Sequence, residues 1–215
     1  MSDLTLVIGN KNYSSWSLRP WIFMKQFQIE FKEKKVFLFT DTTDDELAQY
    51  NSNSKVPVLL DKELVIWDSL AILEYLSEQY LAGGGLPKSP DVRAISRSIS
   101  AEMHSSFFNI RNDLPMNCRK PLVNIALSAE TQTEVQRIAT IWHQCRVQYG
   151  DAGEWLFGQY SIADAMFAPI VLRFHTYGVK LDGQAQAYMQ SVLQQKHIID
   201  WIAAGKEETE VIDGY

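Results

Sequence analysis

The chain has 215 residues, with 20 Lys and Arg against 26 Asp and Glu, giving a formal charge of −6. An acidic balance without a basic run argues against a nucleic-acid-binding surface. Apolar residues make up 46% and charged residues 21%, which excludes a disordered chain and fits one large or two small folded domains. The N-terminus lacks a basic region followed by a long apolar stretch, and no apolar run reaches the roughly 18 residues of a membrane span, so neither a signal peptide nor a membrane helix is expected. Cys118 and Cys145 have no C-x-x-C spacing and no His cluster beside them. No metal site, redox pair or disulfide framework is expected, and a cytoplasmic location suits such usage.

Residues 4–8 read as a buried first strand and 9–12 as the loop after it. A helix follows, with Pro20 expected in its first turn. The stretch 31–39 reads as a second strand and 44–50 as a short acidic helix. Strands are expected at 57–60 and 63–66, joined by a tight turn at Asp61-Lys62, then a helix over 68–80 capped by Asp68. The order is βαβαββα, a small mixed sheet with helices. Three glycines and two prolines in 82–90 mark a linker. Beyond it no strand is evident; helices are expected over 92–111, 127–149, 161–175, 184–193 and 196–203. The domains are therefore 1–81, a linker 82–90, and an all-helical 91–215.

The pair Val56-Pro57 stands before a buried strand, where proline is tolerated and a cis peptide bond is favoured by the turn. Such a bond would turn backbone polar groups at Val56 away from the ladder, where an extended peptide could pair with them. Ser69 would lie in the first turn of the next helix, where free N–H groups attract a carboxylate. One surface would then suit a small acidic peptide; the alternative is an ordinary hairpin leading into a helix. Ser161 and Asp164 fit a structural capping box opening a nearly all-apolar helix that Pro169 interrupts.

With Val-Pro before its third strand, Asp68-Ser69 at its third helix and Gly158-x-x-Ser161-Ile-Ala-Asp164 in a helical half, the chain resembles the cytosolic glutathione transferases. The resemblance spans nearly all of it and implies a thioredoxin-like N-terminal domain, an all-α C-terminal domain and a homodimer. It implies glutathione as cosubstrate, no metal, and a small-molecule electrophile held against the second domain. Val56, beside Pro57, would pair with the cysteinyl unit, Ser69 would hold the γ-glutamyl carboxylate, and Asp68 would lie near the ammonium or serve only as an N-cap. Lys55 is the remaining cation for the glycine carboxylate, or a solvated loop lysine.

The segment Ser14-Ser15-Trp16-Ser17-Leu18-Arg19 is similar to the start of the serine-type tau, phi and zeta classes, which implies Ser14 as the catalytic hydroxyl, then Ser15, with Tyr13 after them. The hydroxyl would donate to the glutathione sulfur and favour the thiolate, the reactive form. Tyr13, Trp16, Met103, Phe107 and Arg111 are candidates for the electrophile pocket. Core packing explains the spacing of Met103 and Phe107 equally well, and Arg111 fits either an anionic substrate or an ion pair. The four histidines read as structural. The expected activity is conjugation of glutathione; the same thiolate could serve isomerisation or peroxide reduction, and the fold could serve as a non-catalytic binding module.

Overall fold

The computed structural model describes residues 4–50 and 54–212. The N-terminal elements are β1 (Leu4–Ile8), α1 (Ser15–Gln26), β2 (Lys32–Lys35), α2 (Thr43–Ala48), β3 (Val58–Asp61), β4 (Leu64–Trp67) and α3 (Ser69–Leu81). The sheet order is β2-β1-β3-β4, with β1 parallel to β2 and antiparallel to β3, and β3 antiparallel to β4. Because strand side chains alternate faces, Leu4, Leu6 and Ile8 join the main core beneath α1 and α3, while Val7 joins a smaller cluster with Val36, Leu47 and Val58 beside α2.

Turns and bends at 82–89 lead to α4 (Pro90–Ser105), α5 (Phe108–Asp113), α6 (Ala129–Tyr149), α7 (Ile162–Thr176), α8 (Gly183–Gln194) and α9 (Lys196–Glu207). Helix α7 is buried along almost its whole length, which its apolar composition requires, and it packs on both α1 and α4. The Ser161–Asp164 capping box opens it. The overall architecture is a four-stranded mixed sheet with helices, followed by an all-helical region, the layout the resemblance implied.

Three local expectations are corrected. The second strand is only Lys32–Lys35; Val36 still donates to the Ile8 carbonyl at 2.8 Å, but Phe39 adopts a left-handed φ of 60° and the chain leaves the sheet. Pro20 lies in the second turn of α1 rather than its first. The single helix expected over 92–111 is broken at Phe107, whose φ is 64°, dividing it into α4 and α5. Carbonyls exposed by that break are partly satisfied by Arg111, whose Nε donates to Ser106 O at 3.1 Å and Nη2 to Met103 O at 2.6 Å.

Candidate active site

The loop between β1 and α1 is fixed from several sides. Asn10 Oδ1 accepts from Leu38 N at 2.9 Å, and Asn12 Oδ1 accepts from Arg119 N at 2.8 Å. The carboxylate of Glu208, just past α9, accepts from Lys11 N and Asn12 N, both at 2.9 Å. Nearby, a side chain added at Gly205 would sit tightly against the Asn12 backbone at 3.2 Å, so glycine eases the close approach of α9. The loop's amides thus face fixed acceptors, and the residues after it start α1 in one defined position.

Ser14 stands at the N-cap of α1, yet its hydroxyl does not cap the helix. It donates to Ser17 Oγ at 2.7 Å, and Ser17 Oγ also accepts from Gly9 N at 3.1 Å. Ser15, the first residue of α1, accepts from Arg173 Nη2 at 3.2 Å, and its own proton has no acceptor among the described residues. Tyr13 is turned to other work: its hydroxyl accepts from Arg119 Nη2 at 2.8 Å and donates to the Glu210 carbonyl at 3.4 Å.

A cleft of about 740 Å³ lies between the two halves, lined by Tyr13, Ser14, Ser15 and Trp16 on one side and by Lys55 and Val56 on another. Arg111, Asn112, Pro115 and Arg173 close it from the helical half. The Val56-Pro57 peptide is cis, and Val56 precedes β3 rather than pairing in it. Met103 and Phe107 do not line this cleft; both are buried in the main core, as their spacing also allowed.

At the start of α3, Ser69 is buried and accepts from Arg19 Nη1 at 3.1 Å. Asp68, in an unusual backbone conformation with φ of 75°, is the N-cap: Oδ1 accepts from Leu70 N at 2.8 Å and Ala71 N at 3.2 Å. Its second oxygen lies 3.0 Å from His104 Nε2 on α4. Burial, with smaller contributions from Arg19 and Arg111, outweighs Asp68 and lowers the His104 pKa. Arg19 is fully buried, and burial together with Arg111 and Arg173 lowers its pKa. The Trp16 ring is stacked by the Arg19 guanidinium at 4.1 Å and the Arg111 guanidinium at 4.7 Å.

Two residues here escaped the sequence. Arg173 had a signal: it is the lone charge after Asp164 in an otherwise apolar helix, and a buried charge in such a setting is retained for a reason. His104 had none, because its partner Asp68 is brought close only by the packing of α4 on α3. Among the described residues no group of three or more His, Cys, Asp or Glu could hold a metal ion, and no helix is long and apolar enough to cross a membrane.

A family model described as the glutathione S-transferase N-terminal domain matches residues 13–79. A stringent starvation protein A homolog from Haemophilus ducreyi is 24% identical over 183 residues, covering 81% of this chain and 82% of that protein. A protein named "Probable maleylacetoacetate isomerase" from Caenorhabditis elegans is 34% identical over 98 residues, 46% of this chain and 45% of its own. Among solved structures, a glutathione transferase homolog from Burkholderia with bound glutathione superposes with a TM-score of 0.71 at 19% identity, over 95% of this chain and 99% of that one. The chain thus has the glutathione transferase fold, and its residues 13–79 match the glutathione S-transferase N-terminal domain.

Proposed function

We propose that this protein is a glutathione transferase, binding glutathione along Val56, Asp68 and Ser69 and adding its thiolate to a small electrophile held against the helical half. The observation that carries this reading is the hydroxyl of Ser15: it lines the cleft, is polarised by Arg173, and keeps its proton for an incoming sulfur. A charge-assisted hydrogen bond contributes about 1.5–3 kcal/mol, enough to lower a thiol pKa by about one to two units. The family resemblance favours Ser14, whereas the hydrogen bonding of the free protein favours Ser15, because the Ser14 proton is already given to Ser17. In this reading Ser15 donates to sulfur and Ser14 holds the turn. The serine stabilises an anion and forms no covalent bond.

Residues 1–81 would bind the tripeptide and 91–215 the electrophile, joined by 82–90. Lys55 would meet the glycine carboxylate. The edge strand β4 carries Leu64 and Trp67, each about half exposed at 49% and 47%, and this apolar edge suits a homodimer. Burial raises the Cys118 and Cys145 thiols to about 12, so neither is a reactive thiol.

A second reading is a binding module without turnover, favoured by similarity to stringent starvation protein A homologs over most of the chain. Isomerisation through the same thiolate is favoured by the shorter match to the isomerase. Calorimetric titration with glutathione, followed by turnover of an aryl chloride, separates these. Binding with turnover supports the transferase, binding without turnover the module or the isomerase, and no binding rejects the transferase and isomerase readings.

A further inference from the structure

Among the described residues, the charged groups lining the cleft are Lys55, Arg111 and Arg173 against a single carboxylate, Asp44. The two arginines belong to the electrophile side and stand on different helices, α5 and α7, yet the fold ties them together. Arg173 Nη1 donates to the carbonyls of Arg111 at 3.2 Å and Leu114 at 2.5 Å, while its Nη2 reaches Ser15. Arg111 spends Nε and Nη2 on the broken turn after α4, leaving Nη1 uncommitted among the described residues. Its guanidinium is fixed by stacking on Trp16, with Arg19 on the same ring. Two guanidinium groups on one indole, with Arg173 acting on the buried Arg19 as well, repel one another, and burial adds to the cost. An arrangement held against that repulsion beside the serine hydroxyls is suited to a negatively charged guest.

We propose that the electrophile carries a carboxylate, seated by Arg111 and Arg173, with its apolar body against Trp16 and Pro115. This rests on the transferase reading for the same cleft, and it names the class of substrate: a small, flat, unsaturated or aromatic acid. A planar guanidinium matches the carboxylate fork. The physical need is plain, since thiolate and carboxylate would otherwise repel at contact distance. The arginines remove that penalty and leave the electrophilic carbon facing the sulfur.

A matched pair of aryl chlorides tests this: 4-chloro-3-nitrobenzoate and its methyl ester. In both, the glutathione sulfur forms a bond to the ring carbon, the carbon–chlorine bond breaks, chloride leaves and the thiol proton goes to solvent. Calorimetric titration of the protein without glutathione gives the affinity ratio of acid to ester. The expected ratio is at least tenfold in the wild type, close to one in Arg111→Gln, and between the two in Arg111→Lys, which keeps the charge but not the planar fork. A wild-type ratio near one, or a ratio unchanged in Arg111→Gln, overturns the proposal, and the wild-type comparison stands even where a variant fails to fold. Turnover with glutathione is the separate arm. Selective binding of the acid without conjugation sinks the transferase reading and leaves the subsite, whereas conjugation of the ester with no preference for the acid does the reverse.

Discussion

Replacing Asp164 with alanine should destabilise the fold by an amount that depends on pH. The carboxylate is buried and accepts from Ser161 N at 2.8 Å, Ser161 Oγ at 2.7 Å and Leu156 N at 3.0 Å. Its loss orphans two buried amides, at about 1–3 kcal/mol each, so about 4 kcal/mol in all. Against this stands the cost of burying the charge: desolvation, only partly offset by these hydrogen bonds, raises the Asp164 pKa from 3.8 to about 6. Because the folded-state pKa lies above the unfolded one, the proton stabilises the fold. That contribution is full below about pH 4 and is lost as pH rises through about 6. It amounts to about 3 kcal/mol, so the net loss on deletion should shrink to about 1–2 kcal/mol at pH 8. At pH 5 about half of that contribution is already lost, so for a chain of this size Asp164→Ala should lower Tm by about 7 °C at pH 5 and about 4 °C at pH 8. Scanning calorimetry at the two pH values measures both, with glutathione affinity unchanged because Asp164 does not line the cleft. Equal shifts at both pH values would refute the buried-charge reasoning, and a normal melt with lost glutathione binding would refute the structural role itself.

Tyr13→Phe should leave conjugation within about twofold while costing about 1 kcal/mol of stability, since the hydroxyl serves Arg119 and the segment after α9. A large loss of kcat with a normal melt would return tyrosine to the chemistry. Glu208→Ala leaves the amides of Lys11 and Asn12 without acceptors, at about 2 kcal/mol. Hydrogen exchange at those amides should accelerate and kcat/KM should fall about tenfold; unchanged protection would deny Glu208 its place. Asp68→Asn keeps a good N-cap but removes the charge. The KM for glutathione should rise about tenfold if Asp68 meets the γ-glutamyl ammonium, and an unaltered KM would reduce it to a cap.

Where local chemistry decides structure, the sequence is readable. β1 follows from an apolar run, α3 from Asp68 and its apolar face, and the start of α7 from Ser161 and Asp164, whose partners lie within a few residues. Failures occur where a distant residue supplies the missing partner. No glycine or proline marks the break at Phe107. Helix α5 is instead capped from α6, where Glu134 accepts from Ile110 N at 2.8 Å and Asn109 N at 3.3 Å. The second strand misled because Val36 and Phe37 carry the β signal, while the paired residues Lys32–Lys35 form an exposed, charged edge. At the cleft, Ser14, Ser15, Trp16 and Val56 could be named in advance because each stands in a short local pattern of its own. The arginine wall was only half seen: Arg111 and Arg173 are sixty-two residues apart and meet through the carbonyl that Arg111 offers.

The central claim is that a cleft hydroxyl stabilises the glutathione thiolate. Its most direct test is the ultraviolet absorbance of bound thiolate followed against pH in the wild type, Ser15→Ala and Ser14→Ala. In the wild type the bound thiol should titrate about one to two units below the free value of about 8.5. Ser15→Ala should return it almost to that value, with Ser14→Ala moving it less. A bound thiol that titrates like the free one, or a depressed value that survives in Ser15→Ala, would contradict the account.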